Sequence, residues 1–214
     1  MRLFRGRKQD ETLAERDEHL QRLQAECRVL QARLDDTREL VRHLDEDRDV
    51  LLDALERMHP ERDIRILAQV LLEVSFKPLG LACFYVAVAD WDRDLLQFVL
   101  YHEGGRTRDH PTRPLSDRVG LSERVLSERR SVYIRTAEEG QAAGSLLTPA
   151  EQATGLIPHS WYGAPLGWGP RPLGLVSFQS FHPDAFSESR CRVMDALAAL
   201  MSTCLGDWMP PQMR

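Results

Sequence analysis

Apolar residues recur at alternating steps of three and four from Leu13 to Met58. With Leu13 at heptad position a, the a series runs Leu13, Leu20, Cys27, Leu34, Val41, Arg48 and Leu55. The d series runs Arg16, Leu23, Leu30, Thr37, Leu44, Leu51 and Met58. Eleven of these 14 positions are apolar, counting Cys27, and the register holds for seven heptads. A seam of that length predicts a coiled coil, with those eleven residues as the dimerisation set. Leu40 at g and Leu52 at e widen the stripe near its end. In a parallel pair Arg33 faces Arg38, Glu26 faces Gln31 and Asp47 faces Leu52 of the other chain, so the flanks do not choose an orientation. Thr12 and Glu15 have capping-box spacing, and Asp10 is an alternative cap.

The period changes after Pro60. Ile64, Leu67, Ala68, Leu71 and Val74 continue at helical spacing to about Phe76, and Pro78 and Gly80 end that helix. Pro60 then sits in its first turn, as a kink between rod and domain. Leu81–Ala89 and Leu95–His102 read as a hairpin around the turn Asp90 to Asp94. Ser122 is expected to cap a short helix to about Arg129, followed by a strand from Val132 to Arg135. Residues 106–119 and 136–158 read as loops, the second with one helical turn. Ser160–Leu166 and Pro172–Phe181 form a second hairpin, and Ser187 caps a final helix with Met194, Leu197, Ala198, Met201, Cys204 and Leu205 on one face. The organisation predicted is a basic, frayed N-terminus (1–9), a coiled coil (10–59), a globular domain (60–209) and a tail (210–214). The element order is that of an α+β domain, an antiparallel sheet flanked by terminal helices.

Composition sharpens that division. Residues 1–60 hold 12 Lys+Arg and 15 Asp+Glu but one glycine, Gly6, and one aromatic, Phe4. Such a stretch builds no core of its own and needs a partner to bury its stripe. The net charge of −5 argues against non-specific nucleic-acid binding. No apolar run approaches the roughly 20 residues of a membrane span. The basic N-terminus lacks the apolar stretch of a secretory signal. Four cysteines without a C-x-x-C pair suggest neither a disulfide framework nor a zinc site, and point to a reducing, cytoplasmic setting. Cys27 at an a position would face its own copy in a parallel dimer. His102, His110 and His159 would have to converge across a loop to hold a metal, so none is expected.

Residues 160–205 carry a further pattern: Ala164-Pro165-Leu166 ending a strand, a turn, the strand Pro172 to Ser177, then Pro183, Phe186 and Ser187 leading into the last helix. Together with Gly120 and Val125 in a Gly-x-x-x-x-Val helix, this resembles the GAF domain, a small-molecule sensor module, over about residues 61–206. There are departures. Glu123 stands where the family often has a second glycine, and Arg135 where the short strand often ends in Asp. The signatures of cyclic-nucleotide and bilin binding are missing. So are the loop cysteines of the methionine-sulfoxide-reducing members, because Cys83, Cys191 and Cys204 all lie outside residues 104–158.

The resemblance implies a ligand pocket walled by Phe98, His102, Tyr133, His159 and Trp161, with no cofactor identified. Ordinary core packing is the competing reading for each. No catalytic motif is present. The expected function is a non-enzymatic sensor or adaptor that dimerises, in parallel, through the coiled coil and signals to a protein partner. Two alternatives remain open: a scaffold protein with a degenerate, ligand-free GAF domain, and a thiol sensor or methionine-sulfoxide-reductase-like enzyme. Trp168, on a glycine-flanked turn, is a candidate contact residue.

Overall fold

A computed structural model describes residues 3–58, 63–109, 112–116, 120–145, 151 and 155–206, with side chains from residue 16 onward. The kink expected at Pro60, residue His110 and the tail 210–214 lie outside the described residues. The chain divides into two units, Met1–Asp45 and Glu46–Arg214.

Helix α1 (Leu3–Met58) contributes to both units. Leu, Arg and Glu make up half of it, and these lose little rotamer freedom in a helix. Local ion pairs such as Glu18–Arg22 at 2.6 Å add support on its surface.

The second unit is built on seven strands: β1 (Cys83–Asp90), β2 (Leu95–Glu103), β3 (Arg106–Thr107), β4 (Arg113–Pro114), β5 (Val132–Ile134), β6 (Ser160–Leu166) and β7 (Gly174–Ser180). They form one sheet in the order β3-β2-β1-β7-β6-β5, with β4 also pairing β2. The described pairings are antiparallel. Gly174 lets β7 approach β1 closely, since a Cβ there would stand 2.0 Å from the Ala87 carbonyl oxygen.

One face is covered by the end of α1, α2 (Ile64–Ser75) and the C-terminal helix α5 (Glu188–Gly206). Asp63 caps α2, accepting from the Arg65 N–H at 2.7 Å. The apolar residues of α2 and α5 recur at helical spacing and bury Leu67, Leu71, Met194, Leu197 and Met201 completely. Each such side chain contributes about 1.5–3 kcal/mol. Ser187 accepts from the Arg190 N–H (3.3 Å) at the start of α5, as expected.

The other face is covered by α3 (Leu121–Glu128) and a second cluster that includes Val125, Leu126 and Ile134. Ser122 is not the cap of α3. The helix starts two residues earlier, at Leu121 with Gly120 in the cap position, and the Glu123 carboxylate accepts from the Gly120 N–H at 3.2 Å and pairs with Arg113. Glu123, the residue that departs from the glycine pattern, thus ties α3 to β4. Ser122 points inward to the Tyr85 hydroxyl. Within the expected loop after β5, Thr136 caps a short helix α4 (Ala137–Ala142).

Candidate functional site

Strand register assembles the two faces row by row. On the face beneath α3, Glu103, Cys83, Gln179 and Trp161 stand side by side across β2, β1, β7 and β6. The next row is Tyr101, Tyr85, Ser177 and Gly163. All six polar or aromatic-hydroxyl members of these rows, Glu103, Cys83, Gln179, Tyr101, Tyr85 and Ser177, are buried. Buried polar groups need partners. The Tyr85 and Ser122 hydroxyls lie 2.9 Å apart, and the Gln179 amide donates to Ser177 Oγ at 3.2 Å. Tyr85 stacks on Tyr101 with ring centroids 5.9 Å apart and meets Phe98 edge-on at 5.4 Å. The Trp161 ring lies over Gly163, where an added Cβ would fall 2.1 Å from it.

This face is rich in hydroxyls but poor in nucleophiles. Burial pushes the Cys83 thiol up to about 12, with the negative charges of Glu103 and Glu151 adding to it. Burial, followed by the charge of Glu103, also raises Tyr101. Burial likewise lifts the Cys191 thiol to about 11, followed by the charge of Asp195. A thiol raised in this way holds almost no thiolate at neutral pH. The four cysteines form no disulfide: Cys27 is exposed, and Cys204 donates its S–H to the Met58 carbonyl oxygen at 3.4 Å. Among the described residues, no group of His, Cys, Asp and Glu has metal-binding geometry.

The opposite face carries an aromatic row: His102, Phe84, Phe178, Tyr162 and Tyr133, one from each of five adjacent strands. Phe84 and Phe178 meet edge-on at 5.5 Å, and Phe76 from the end of α2 meets His102 at 4.8 Å. Burial depresses the His102 pKa. Tyr133 takes the Phe186 N–H at 3.0 Å. Arg135 stacks on Tyr133 at 5.1 Å and pairs with Asp184 at 2.9 Å, a role for the residue that replaces the usual Asp.

The five residues expected to wall one pocket are therefore divided. Phe98 and Trp161 lie on the α3 face. His102 and Tyr133 lie on the helical face at opposite ends of the aromatic row, four strand spacings or about 19 Å apart. His159 precedes β6, and its N–H donates to the Ser180 carbonyl. The separation of Phe98 from His102 has a specific cause. A β-bulge in β2 opposite Val86 and Ala87 inserts Val99, which reverses the side-chain alternation between them. The residues that sequence reasoning missed are Tyr85, Tyr101, Ser122, Ser177 and Gln179. Ser177 and Gln179 had a legible signal: they alternate with the apolar Val176 and Phe178 in one strand.

The eleven expected dimerisation residues are also divided. Leu20, Leu23, Leu30, Leu34, Val41, Leu44 and Leu55 are exposed apolar residues, and Cys27 is exposed. Leu51 is half-buried and packs on the domain core, and Met58 is wholly inside that core. The domain, not a second chain, takes Met58. The side chain of Leu13 lies outside the described residues.

An antiparallel six-strand path with helices on both faces defines an α+β sensor-type fold. A family model of the GAF domain matches residues 61–205, and the chain belongs to the GAF domain family. No curated protein matches the chain. Among solved structures it is similar to the GAF domain of a phosphoenolpyruvate-protein phosphotransferase from Acinetobacter, at 16% identity, a TM-score of 0.62, and coverage of 74% of this chain and 92% of that one. It is similar to a free methionine-R-sulfoxide reductase from Neisseria meningitidis in complex with its substrate, at 17% identity, TM-score 0.60, and coverage of 75% and 88%. It is also similar to the nlh2 GAF domain of A. aeolicus in an inactive state, at 12% identity, TM-score 0.62, and coverage of 78% and 99%. At these identities the likeness is one of fold. Among the described residues, no helix is long and apolar enough to cross a membrane.

Proposed function

We propose that this chain is a non-enzymatic, cytoplasmic GAF-type sensor or adaptor that self-associates through α1 as a parallel homodimer and signals to a protein partner. One observation carries the reading. Between residues 46 and 58, α1 packs on its own domain through Asp47, Val50, Ala54 and Met58, yet Leu52 and Leu55 stay exposed. Those two belong to the heptad stripe that continues from Leu20, Leu30 and Val41. The domain uses one face of the helix, and a second apolar face is left for another chain. Cysteines with raised pKa values support the non-enzymatic part.

Sedimentation equilibrium tests self-association. The full chain, 24.5 kDa as a monomer, is expected at twice that mass. The triple change Leu30→Glu, Leu34→Glu and Val41→Glu should return it to the monomer. A monomeric wild type, or a triple variant that keeps the doubled mass, refutes the reading.

A second reading is favoured by the Trp161 ring lying over Gly163 inside the apolar cluster, with Phe98 packed on the same cluster. In that reading the GAF fold is a scaffold with no ligand. A thermal-shift screen with nucleotides, amino acids and tetrapyrroles separates the two. A stabilising ligand whose effect is lost in Ser177→Ala or Gln179→Ala supports the sensor, and uniform silence supports the scaffold.

A further inference from the structure

Neither α1 nor the polar rows account for Trp168. It sits at the turn between β6 and β7, flanked by Gly167 (φ +86) and Gly169 (φ +108), both in the left-handed region that favours glycine. At 72% exposure it is the most exposed large apolar side chain among the described residues. An exposed tryptophan held on so tight a turn is a surface feature with a cost in solvation.

Trp168 forms one wall of an open groove of ≈ 400 Å³. Ala198 and Ala199 of α5 line it with apolar surface, and Arg129 and Arg130, at the junction of α3 and β5, line it with positive charge. Arg129 has φ +54, at a helix C-terminus where glycine is the usual residue. An arginine kept in that conformation points to a use for its side chain. Arg130 pairs with Glu128 at 2.6 Å, whereas Arg129 forms no ion pair among the described residues. The one carboxylate on the groove wall, Asp195, is engaged by the hydroxyls of Ser131 and Tyr162, the latter at 2.7 Å.

We propose that this groove docks an acidic peptide segment of a partner protein. One large apolar residue of the segment packs between Trp168 and the alanines of α5, and its carboxylates meet Arg129 and Arg130. Tryptophan and arginine are the residue types that dominate binding energy at protein interfaces, and the guanidinium of Arg129, which forms no ion pair among the described residues, selects negative charge, with Arg130 able to exchange Glu128 for a carboxylate of the segment. A nucleic acid fits less well, because the groove offers two arginines at one end of an apolar pocket and no basic stripe to follow a phosphate backbone. The proposal goes beyond the α1 reading and does not depend on self-association.

The test is selection from a random dodecapeptide display library on the full chain. Enriched peptides are expected to carry a large apolar residue flanked by Asp and Glu. A synthetic copy of the best peptide should lose about tenfold or more in affinity against Trp168→Ala, and should weaken as salt rises. Arg129→Gly provides a second readout that a structural role would not mimic. It relieves the left-handed backbone, so thermal stability should hold or rise while peptide affinity falls. An absence of enrichment, a basic consensus, or binders indifferent to both variants would overturn the proposal. So would a lower sedimentation mass for Trp168→Ala, which would assign the groove to a second copy of this chain.

Discussion

From Arg16 to Asp45 no residue of α1 is buried, whereas Asp47, Val50, Ala54 and Met58 are buried within the next 13 positions. The heptad pattern is the same in both stretches. At about 100° per residue, the buried set centres roughly 75° around the helix from the a/d stripe. The domain therefore docks on a face of α1 that is offset from the heptad seam and takes only its d positions Leu51 and Met58. Burial in the second stretch follows from specific partners. Asp47 accepts from Ser189 Oγ at 3.0 Å at the start of α5, Met58 offers its carbonyl to Cys204 near the other end, and Arg57 pairs with Glu73 of α2. The end of α1 thus runs parallel to α5 and becomes part of the core. One amphipathic helix thus packs on its own domain with one face and keeps Leu52 and Leu55 exposed on another.

That comparison can be broken by substitution. The largest effect is expected at Met58. Met58→Ala should lower the free energy of unfolding by about 2–5 kcal/mol in urea titrations, while Leu55→Ala, one turn earlier in the same heptad seam but exposed, should change domain stability by less than about 0.5 kcal/mol. Equal losses would mean that Leu55 packs on the domain as Met58 does. Ala54 is fully buried, so Ala54→Leu should cost about 1–3 kcal/mol by overpacking. A neutral result would place α1 less tightly on the core. Asp47→Ala should cost about 1 kcal/mol, and a double-mutant cycle with Ser189→Ala should show that the two effects share one interaction.

The smallest effect is expected at the exposed Arg57–Glu73 pair, where Arg57→Ala should cost about 0.2–1 kcal/mol. Its pH dependence has a definite sign. A hydrogen bond from Gln69, then the bond from Arg57, holds the Glu73 carboxyl below its ordinary value of 4.5. A depressed carboxyl contributes stability above its unfolded pKa and loses it as pH falls through the folded pKa. Acid titration below pH 4.5 should therefore destabilise the wild type slightly more than Arg57→Ala. The opposite order would refute the assigned pair.

Much of the fold was legible in local signals. The two hairpins were marked by alternation and by the turns at Asp90–Asp94 and Gly167–Pro170, and the final helix by its Ser187 cap. The start of α3 was misread. Ser122 has the right chemistry for a cap, but a tertiary partner, Tyr85, claims its hydroxyl, and Glu123 takes over at the helix start. The candidate site was less legible, because its rows depend on cross-strand register. Period-two counting puts Phe98 and His102 on one face, and the bulge at Val99 separates them. No local feature of Leu95–Glu103 marks that bulge.

What the sequence by itself determined is the division of the chain into a glycine-poor heptad helix and an α+β domain of the GAF type. The helix and the strands follow from spacing, which is set by backbone geometry, and the GAF type from the resemblance carried by Ala164-Pro165-Leu166, Pro183, Phe186 and Ser187. Only the tertiary structure decided which face of α1 the domain would occupy, and which strand residues would share a row. Those choices are contests between distant surfaces. Val50, Ala54 and Met58 are buried because α2 and α5 offer a matching apolar layer, while Leu52 and Leu55, equally apolar, face away from it.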